Sequence, residues 1–525
     1  MRTRVGLLVV CVFLLTLAPA LAQDNPLSLQ VLGRYATGMF DESAAEIVAY
    51  NPASQSLFIV NGASDTIDIV NISDPANPAL TTQVDVSAYG SPNSVAVSSS
   101  NLAAVALNAE ATDGAGTVVF LDAAGTLLAT VNVGVLPDMV TFTPDGRRAL
   151  TANEGEPSDD YTVDPEGSVS IIDLSGGVET LTQDNVITLG FADFNRDGAR
   201  AAELPAEVRI YGPNATVAQD LEPEYIAVSP DGTLAFVTLQ ENNAVAVLDI
   251  ASATVLEIRA LGFKDHSVEG SGLDASNEDG AINIALWPVF GMYQPDGIAT
   301  FEIGGMVYYI TANEGDTRDY EGYSEEGEVS EMTLDSGAFP DAATLQEEAN
   351  LGKLEVVTSM GDSDGDGDYD ALYVPGGRSF SIYSADGTLI YESGDRLEQL
   401  IAQLLPAEFN ATNDENGSFD DRSDNKGPEP EDVEIGVIAE RSYAFIGLER
   451  IGGVMVFDIS DPAAPVFVTY ANNRDFSGDA AAGTAGDLGP EGLLFIPAAS
   501  SPNGQNLLVV ANEISGSTTI FQISN

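Results

Sequence analysis

Residues 151–161 read TANEGEPSDDY, and residues 311–320 read TANEGDTRDY. A five-residue core shared across 160 positions, each time followed by an acid-rich loop ending on Tyr, marks a repeat. Each copy closes a short apolar run with β character. Weaker echoes stand at Asn108-Ala109-Glu110, Gln240-Glu241-Asn242, Leu448-Glu449-Arg450 and Asn512-Glu513-Ile514. Upstream of the anchors, an acid opens a β-run, often after proline: Glu46, Asp138, Glu224, Asp296, Glu431 and Glu491, with Asn93 in the same place once. A turn follows, such as Pro144-Asp145-Gly146, then a second run ending at the anchor, a third (TVVFLD, SVSIID, VMVFDI) and often a fourth.

Four short strands per unit, with starts at Glu46, Asn93 and Asp138, predict an all-β, seven-bladed β-propeller of the YVTN/WD-repeat type. The last unit supplies three strands. Residues 27–35 (LSLQVLGRY) are expected to add the fourth and close the ring, which removes two exposed sheet edges. The longer units carry acidic insertions at 190–221, 262–294, 315–373 and 392–428, and LEQLIAQLL (397–405) is the one helix candidate.

Arg2 and Arg4 precede an apolar run, and Ala20-Leu21-Ala22 precedes Gln23, so residues 1–22 read as a cleaved signal peptide and 23–525 as one propeller domain. No other apolar stretch is long enough to span a membrane. The single cysteine, Cys11, lies in the signal, which leaves the mature chain without thiolate ligands or disulfides. Two of the 19 basic residues leave with the signal, so 17 face 81 acidic ones, a balance that excludes nucleic acid and anionic membranes as partners. A saline habitat and plain solubility remain alternatives to ion binding as reasons for that charge. A composition 44% apolar is core-forming.

In a propeller the innermost strands line an axial channel. Glu46, Asp138, Glu224, Asp296, Glu431 and Glu491 are therefore expected to ring its mouth, with the anchor acids Glu110, Glu154, Glu241, Glu314, Glu449 and Glu513 around them. Crowded carboxylates repel and raise one another's pKa, and calcium, which takes about six to eight oxygens, is the expected counter-ion. For one blade alone, Pro-Asp or Pro-Glu reads as a turn; for the whole set, an ion-binding face is the better reading. A second cation signal is Asp362, Asp364, Asp366, Asp368 and Asp370, whose spacing fits a calcium loop, although position twelve is Tyr373 and no helices flank it. Asp193–Asp197 with Glu203, and Asp274 with Asn277 and Asp279, are weaker versions.

His266, the only histidine, could act as ligand or acid–base group, but a lone histidine beside Asp is more often a structural partner. Lys264, Arg318, Arg378, Arg422 and Lys426 fall near the acidic loops; ion pairing is their plain role, and clamping a phosphate beside calcium the sharper one.

GFKDHS (262–267), GMYQPDGIATF (291–301), DLEPEYIAVSPDG (220–232), PGGRSFSIYSADG (375–387), RSDNKGPEPE (422–431) and GPEGL (489–493), together with both TANEG segments, resemble the choice-of-anchor I family of secreted bacterial propellers. More distantly they resemble the mesenchyme-specific cell-surface glycoproteins. The resemblance implies a propeller, an extracellular or cell-envelope location and association with calcium or mineral; some members carry an alkaline-phosphatase-like label. The expected function is a secreted, monomeric, calcium-binding module that meets cell-surface ligands. The alternative is a calcium-dependent phosphomonoesterase acting on phosphate esters.

Overall fold

The computed structural model describes residues 27–524; residues 1–22, expected to be a signal peptide, and Cys11 lie outside them. Seven four-stranded antiparallel sheets follow one another along the chain. Their innermost strands are Val48–Asn51, Ser91–Val97, Pro137–Phe142, Pro223–Val228, Ile298–Ile303, Pro430–Ile438 and Pro490–Ile496, here blades 1 to 7. Blade 7 takes its outermost strand, Ser28–Ala36, from the N-terminal side, paired antiparallel with Ser517–Ser524.

Side-chain alternation explains why these sheets stand side by side. In Ser56–Asn61, Phe58 and Val60 enter the apolar cluster shared with blade 2, while Leu57 and Ile59 point the other way into the cluster shared with blade 7. The next blade repeats this: Ala103, Val105 and Leu107 face back to blade 1, and Ala104 and Ala106 face forward to blade 3. A strand with apolar residues on both faces needs a sheet on each side. The clusters run on between blades 3 and 4, 4 and 5, 5 and 6 and 6 and 7. The last joins blade 7 to blade 1 through Ile496, Val509 and Ile520 against Val48, Leu57 and Val70. The sheets thus form a closed ring with a core between every pair.

The insertions build outward. Residues 315–373 fold with 273–289 around a separate core of Leu273, Val289, Val329, Phe339, Leu351 and Leu372. The helix, Arg396–Leu404, buries Leu397, Leu400 and Ile401 in the core between blades 5 and 6.

Candidate functional site

Local backbone chemistry aims the acids inward. In blades 2, 3, 4, 6 and 7 the residues after the proline lie in a β-bulge, between Pro92 and Ser94, Pro137 and Met139, Pro223 and Ile226, Pro430 and Val433, and Pro490 and Leu493. A bulged residue leaves the ladder and its side chain is re-aimed; proline has no N–H to lose there. Before the proline, Leu136, Gln294, Glu429 and Gly489 all take a positive φ, between 39° and 65°. That left-handed conformation is costly for the three that are not glycine. The carbonyl of each accepts an N–H from the anchor segment: Glu154 on Leu136, Gly315 on Gln294, Glu449 on Glu429 and Glu513 on Gly489, at 2.8–3.0 Å.

The anchor itself divides into architecture and chemistry. Thr151 Oγ1 donates to Asn153 Oδ1 (2.8 Å), and Asn153 Nδ2 donates to Ser168 and Ser170 on the third strand. Thr311, Asn313, Ser379 and Ser381 repeat the network bond for bond. A Cβ on Gly315 (φ 101°) would sit 2.2 Å from the backbone N of Gly376, so only glycine fits there. Thr-Ala-Asn and Gly thus hold the strands together, and the Glu between them is free to face the axis.

The result is an axial cavity of about 470 Å³ whose lining includes eleven carboxylates: Glu46, Asp138, Glu154, Glu156, Glu224, Asp296, Glu314, Asp316, Glu431, Asp432 and Glu491. The lining contains no Lys, Arg or His. Two triads converge within it. One carboxylate oxygen each from Asp138, Glu154 and Glu224 lie within 4.8 Å of one another, and the same holds for Asp296, Glu431 and Glu491. At that separation and an effective dielectric near 20, each ionised pair repels by about 3 kcal/mol. A fully ionised triad would carry on the order of 10 kcal/mol, comparable to the whole stability of a domain. Either protons or cations must offset it. Burial followed by neighbouring carboxylates raises Glu154, Glu224, Glu431 and Glu491 well above the usual carboxylate range. Burial likewise lifts Asp138 to about 7 and Glu46 and Asp296 to about 8. Glu431 Oε2 and Glu224 Oε2 are buried and receive no hydrogen bond among the described residues.

The sequence-derived ring set is therefore brought together on one cavity, with Glu154 and Glu314. Glu110 is exposed, and Glu110, Glu241, Glu449 and Glu513 all stand outside the lining. Glu156, Asp316 and Asp432 were missed; the first two each stand two residues after an anchor Glu, so the repeat itself held their signal. Asp362, Asp364 and Asp366 converge separately on an exposed loop of the blade 5 insertion. There Asp362 accepts the N–H groups of Gly365 and Gly367, and Asp370 accepts from Ser363; Asp368 offers its backbone N–H to Asp366.

The cations are placed otherwise. Arg318 is buried between Asp220 and Glu222 and lies over the ring of Tyr211. Arg378 bonds Glu398 and the carbonyls of Asp274, Ser423 and Asn425. Lys264 Nζ donates to the Gly377 and Gly394 carbonyls (2.7 Å each), and His266 Nδ1 pairs with the Ser271 carbonyl (2.6 Å). Burial, then the charges of Lys264 and Arg378, lower His266 well below its ordinary value. Arg422 pairs with Glu429. Lys426 alone among the six reaches a cavity carboxylate, Glu314, at 2.5 Å.

The choice-of-anchor I domain signature matches residues 46–462, which takes in both triads except Glu491. The chain belongs to the choice-of-anchor I family. Its membership and fold support a surface-associated binding module. Among curated proteins it is similar to Gigasin-3a of Magallana gigas, 32% identical over 197 residues covering 34% of this chain and 67% of that protein. It is also similar to a mesenchyme-specific cell surface glycoprotein of Strongylocentrotus purpuratus, 28% identical over 47% of this chain; the match spans 36% of that protein's length. Among solved structures, Kuenenia stuttgartiensis hydrazine synthase aligns over 93% of this chain and 99% of its own, at 14% identity and TM-score 0.47. A streptogramin B lyase aligns over 95% and 98%, at 9% identity and TM-score 0.44. No helix of the described residues is long and apolar enough to cross a membrane.

Proposed function

We propose that the chain is an extracellular, surface-associated binding module whose axial cavity holds divalent cations, calcium foremost. The observation that carries this reading is the pair of convergent carboxylate triads in a cavity whose lining contains no basic side chain. All-oxygen donors, without sulfur or imidazole, suit a hard cation that accepts many ligands. Asp138, Glu154 and Glu224 would hold one ion, and Asp296, Glu431 and Glu491 a second. The exposed loop at Asp362, Asp364 and Asp366 offers a weaker position, because two of its carboxylate oxygens already accept backbone N–H groups.

The experiment is thermal unfolding and calorimetric titration of the purified chain in chelator and in calcium. Binding at a hundredfold excess over Kd adds about 2.7 kcal/mol per site. We expect a clear rise in Tm for the wild type and its loss in Glu431→Gln/Glu491→Gln. A chain whose melting ignores calcium would end the reading.

Phosphomonoester hydrolysis draws less support. It needs a cation beside the bound metal to grip the phosphate, and Arg318, Arg378, Lys264 and His266 are buried among protein partners. Only Lys426 stands at the cavity edge, engaged by Glu314 and Glu429. Turnover of p-nitrophenyl phosphate that depends on calcium and is lost in Lys426→Met would reverse this preference.

A further inference from the structure

Away from the axis, three inserted segments meet: the loop 273–285, the helix Arg396–Leu404 and the loop 405–423. Asp274 is fully buried; its Oδ2 accepts the backbone N–H of Asn283 at 2.5 Å, and its own N–H donates to Glu398 Oε2 at 3.4 Å. Glu398 Oε1 accepts from Arg378 Nη1 and Asn410 Nδ2, both at 2.9 Å. Asn410 Nδ2 donates also to Ser423 Oγ (2.9 Å), which donates to Asp420 Oδ1 (2.6 Å). An unbroken run of contacts therefore joins Asp274, Glu398, Asn410 and Asp420.

Two oxygens of the run, and one on the loop that follows Asp274, are left without a donor. Asn410 Oδ1, Asp420 Oδ2 and Asn277 Oδ1 are buried atoms that accept no hydrogen bond among the described residues. Asn410 and Asp420 are 0% and 1% exposed, and both are held at positive φ, 42° and 72°. A buried acceptor left unpaired costs about 1–3 kcal/mol. Arg378, whose guanidinium joins this run, gives its Nη1 and Nη2 to Glu398 and to the carbonyls of Asp274, Ser423 and Asn425. Asn410 cannot be turned over to help, since its Nδ2 is fixed by a carboxylate and a hydroxyl. Acceptors so placed are answered by a positive charge that takes oxygen from several directions.

We propose that this junction is a structural calcium site, liganded by oxygens of Asp274, Asn277, Asn410 and Asp420. The spacing of Asp274, Asn277 and Asp279 is too sparse to close a calcium loop alone; the missing ligands come from more than 130 residues downstream. The ion ties the loop 273–285 to the segment that runs from the helix to Arg422 and Lys426. It thereby stiffens the arm that delivers Lys426 to Glu314. Amide and carboxylate oxygens without nitrogen or sulfur ligands favour calcium over transition metals.

The test is equilibrium dialysis of the full chain against radioactive calcium, for wild type, Asp420→Asn, Asn277→Ala and the ring variant Glu431→Gln/Glu491→Gln. Asp420→Asn supplies an N–H donor where the wild type has only acceptors, so its fold in chelator should hold while one calcium equivalent disappears or weakens at least tenfold. Asn277 is only half-buried, and Asn277→Ala reads the same site should Asp420→Asn fold poorly. The ring variant should keep this equivalent and lose others. If both junction variants bind calcium in wild-type number and affinity, the proposal is overturned, whatever the ring variant does; loss in the junction variants alone would instead sink the axial reading and leave this one standing.

Discussion

Two clusters of three carboxylates, built by the same kind of loops, are treated in opposite ways by the rest of the chain. Glu314, Glu429 and Glu449 place oxygens within 4.8 Å of one another, as do Asp296, Glu431 and Glu491. The first cluster is threaded with cations: Lys426 on Glu314 and Glu429, Arg422 on Glu429, and Arg450 on Glu429 and Glu449. There burial would raise Glu429, but Lys426, Arg450 and Arg422 hold it well below the ordinary carboxylate range. The second has no such partner among the described residues, and burial with its acid neighbours drives Glu431 and Glu491 upward. The chain has only 19 Lys and Arg against 81 acids, and it commits several of those few to one side of the ring. The uncompensated arc is thus where an exchangeable cation has its largest effect.

The largest effect should come from taking away a built-in cation. Lys426→Met leaves Glu314 and Glu429 buried without a shared partner, and breaking a buried pair on one side costs about 3–5 kcal/mol. Denaturant unfolding in chelator should show that loss, and calcium should recover part of it, because the variant turns a cation-filled triad into one resembling its neighbour. Glu431→Gln/Glu491→Gln should move the other way in chelator, melting at or above the wild type. If both variants destabilise alike, the contrast between the arcs is wrong.

The pH dependence of the chelated chain follows from the signs. A carboxyl raised in the folded state keeps its proton where the unfolded chain has released it, so stability falls as pH rises. For Asp138 (about 7) and for Glu46 and Asp296 (about 8), the decline runs from the usual value of about 4 up to about pH 8. Glu429 acts in the opposite sense: its contribution is present above the usual value and is lost only as pH falls through its depressed folded one. Melting in chelator should therefore drop between about pH 5 and 8, and calcium should remove most of the drop. A flat profile in chelator would mean the ring acids ionise without penalty.

Much of this was legible in the sequence, because a propeller writes its geometry as periodic text. The acid after each proline, the TANEG anchors and the strand borrowed from the N-terminal side all follow from spacing. The helix expected at 397–405 is observed one residue earlier. What spacing could not show was pairing at a distance. Arg318 meets Asp220 and Glu222 nearly a hundred residues away, and Arg378 closes on Glu398, Ser423 and Asn425; nothing local separates such a structural arginine from a phosphate clamp. Glu429 carries no sequence signal that sets it apart, yet it is the acid on which three cations converge. The junction at Asp274 was half visible for the same reason: its loop is local, and its remaining oxygens are not.

The finest test uses the two anchors themselves, since their sequences match through five residues and their surroundings do not. Glu154 is raised by burial and then by Glu156, Glu224, Asp138 and Glu241, all acids. Burial raises Glu314 as well, but Lys426 acts against it, and the carboxylate accepts from Lys426 (2.5 Å) and Gln240 (2.8 Å). Replacing a carboxylate by its amide removes charge at nearly constant shape. At Glu154 it removes repulsion, and the chelated chain should gain about 1 kcal/mol; at Glu314 it weakens a charge-assisted hydrogen bond, and the chain should lose about the same. In calcium the signs should converge, because Glu154→Gln then gives up a ligand. Opposite shifts in chelator, read from urea midpoints at pH 8 with unchanged m-values, would show that one motif serves two chemistries according to the nearest cation; shifts of equal sign would show that the repeat imposes a single role on both.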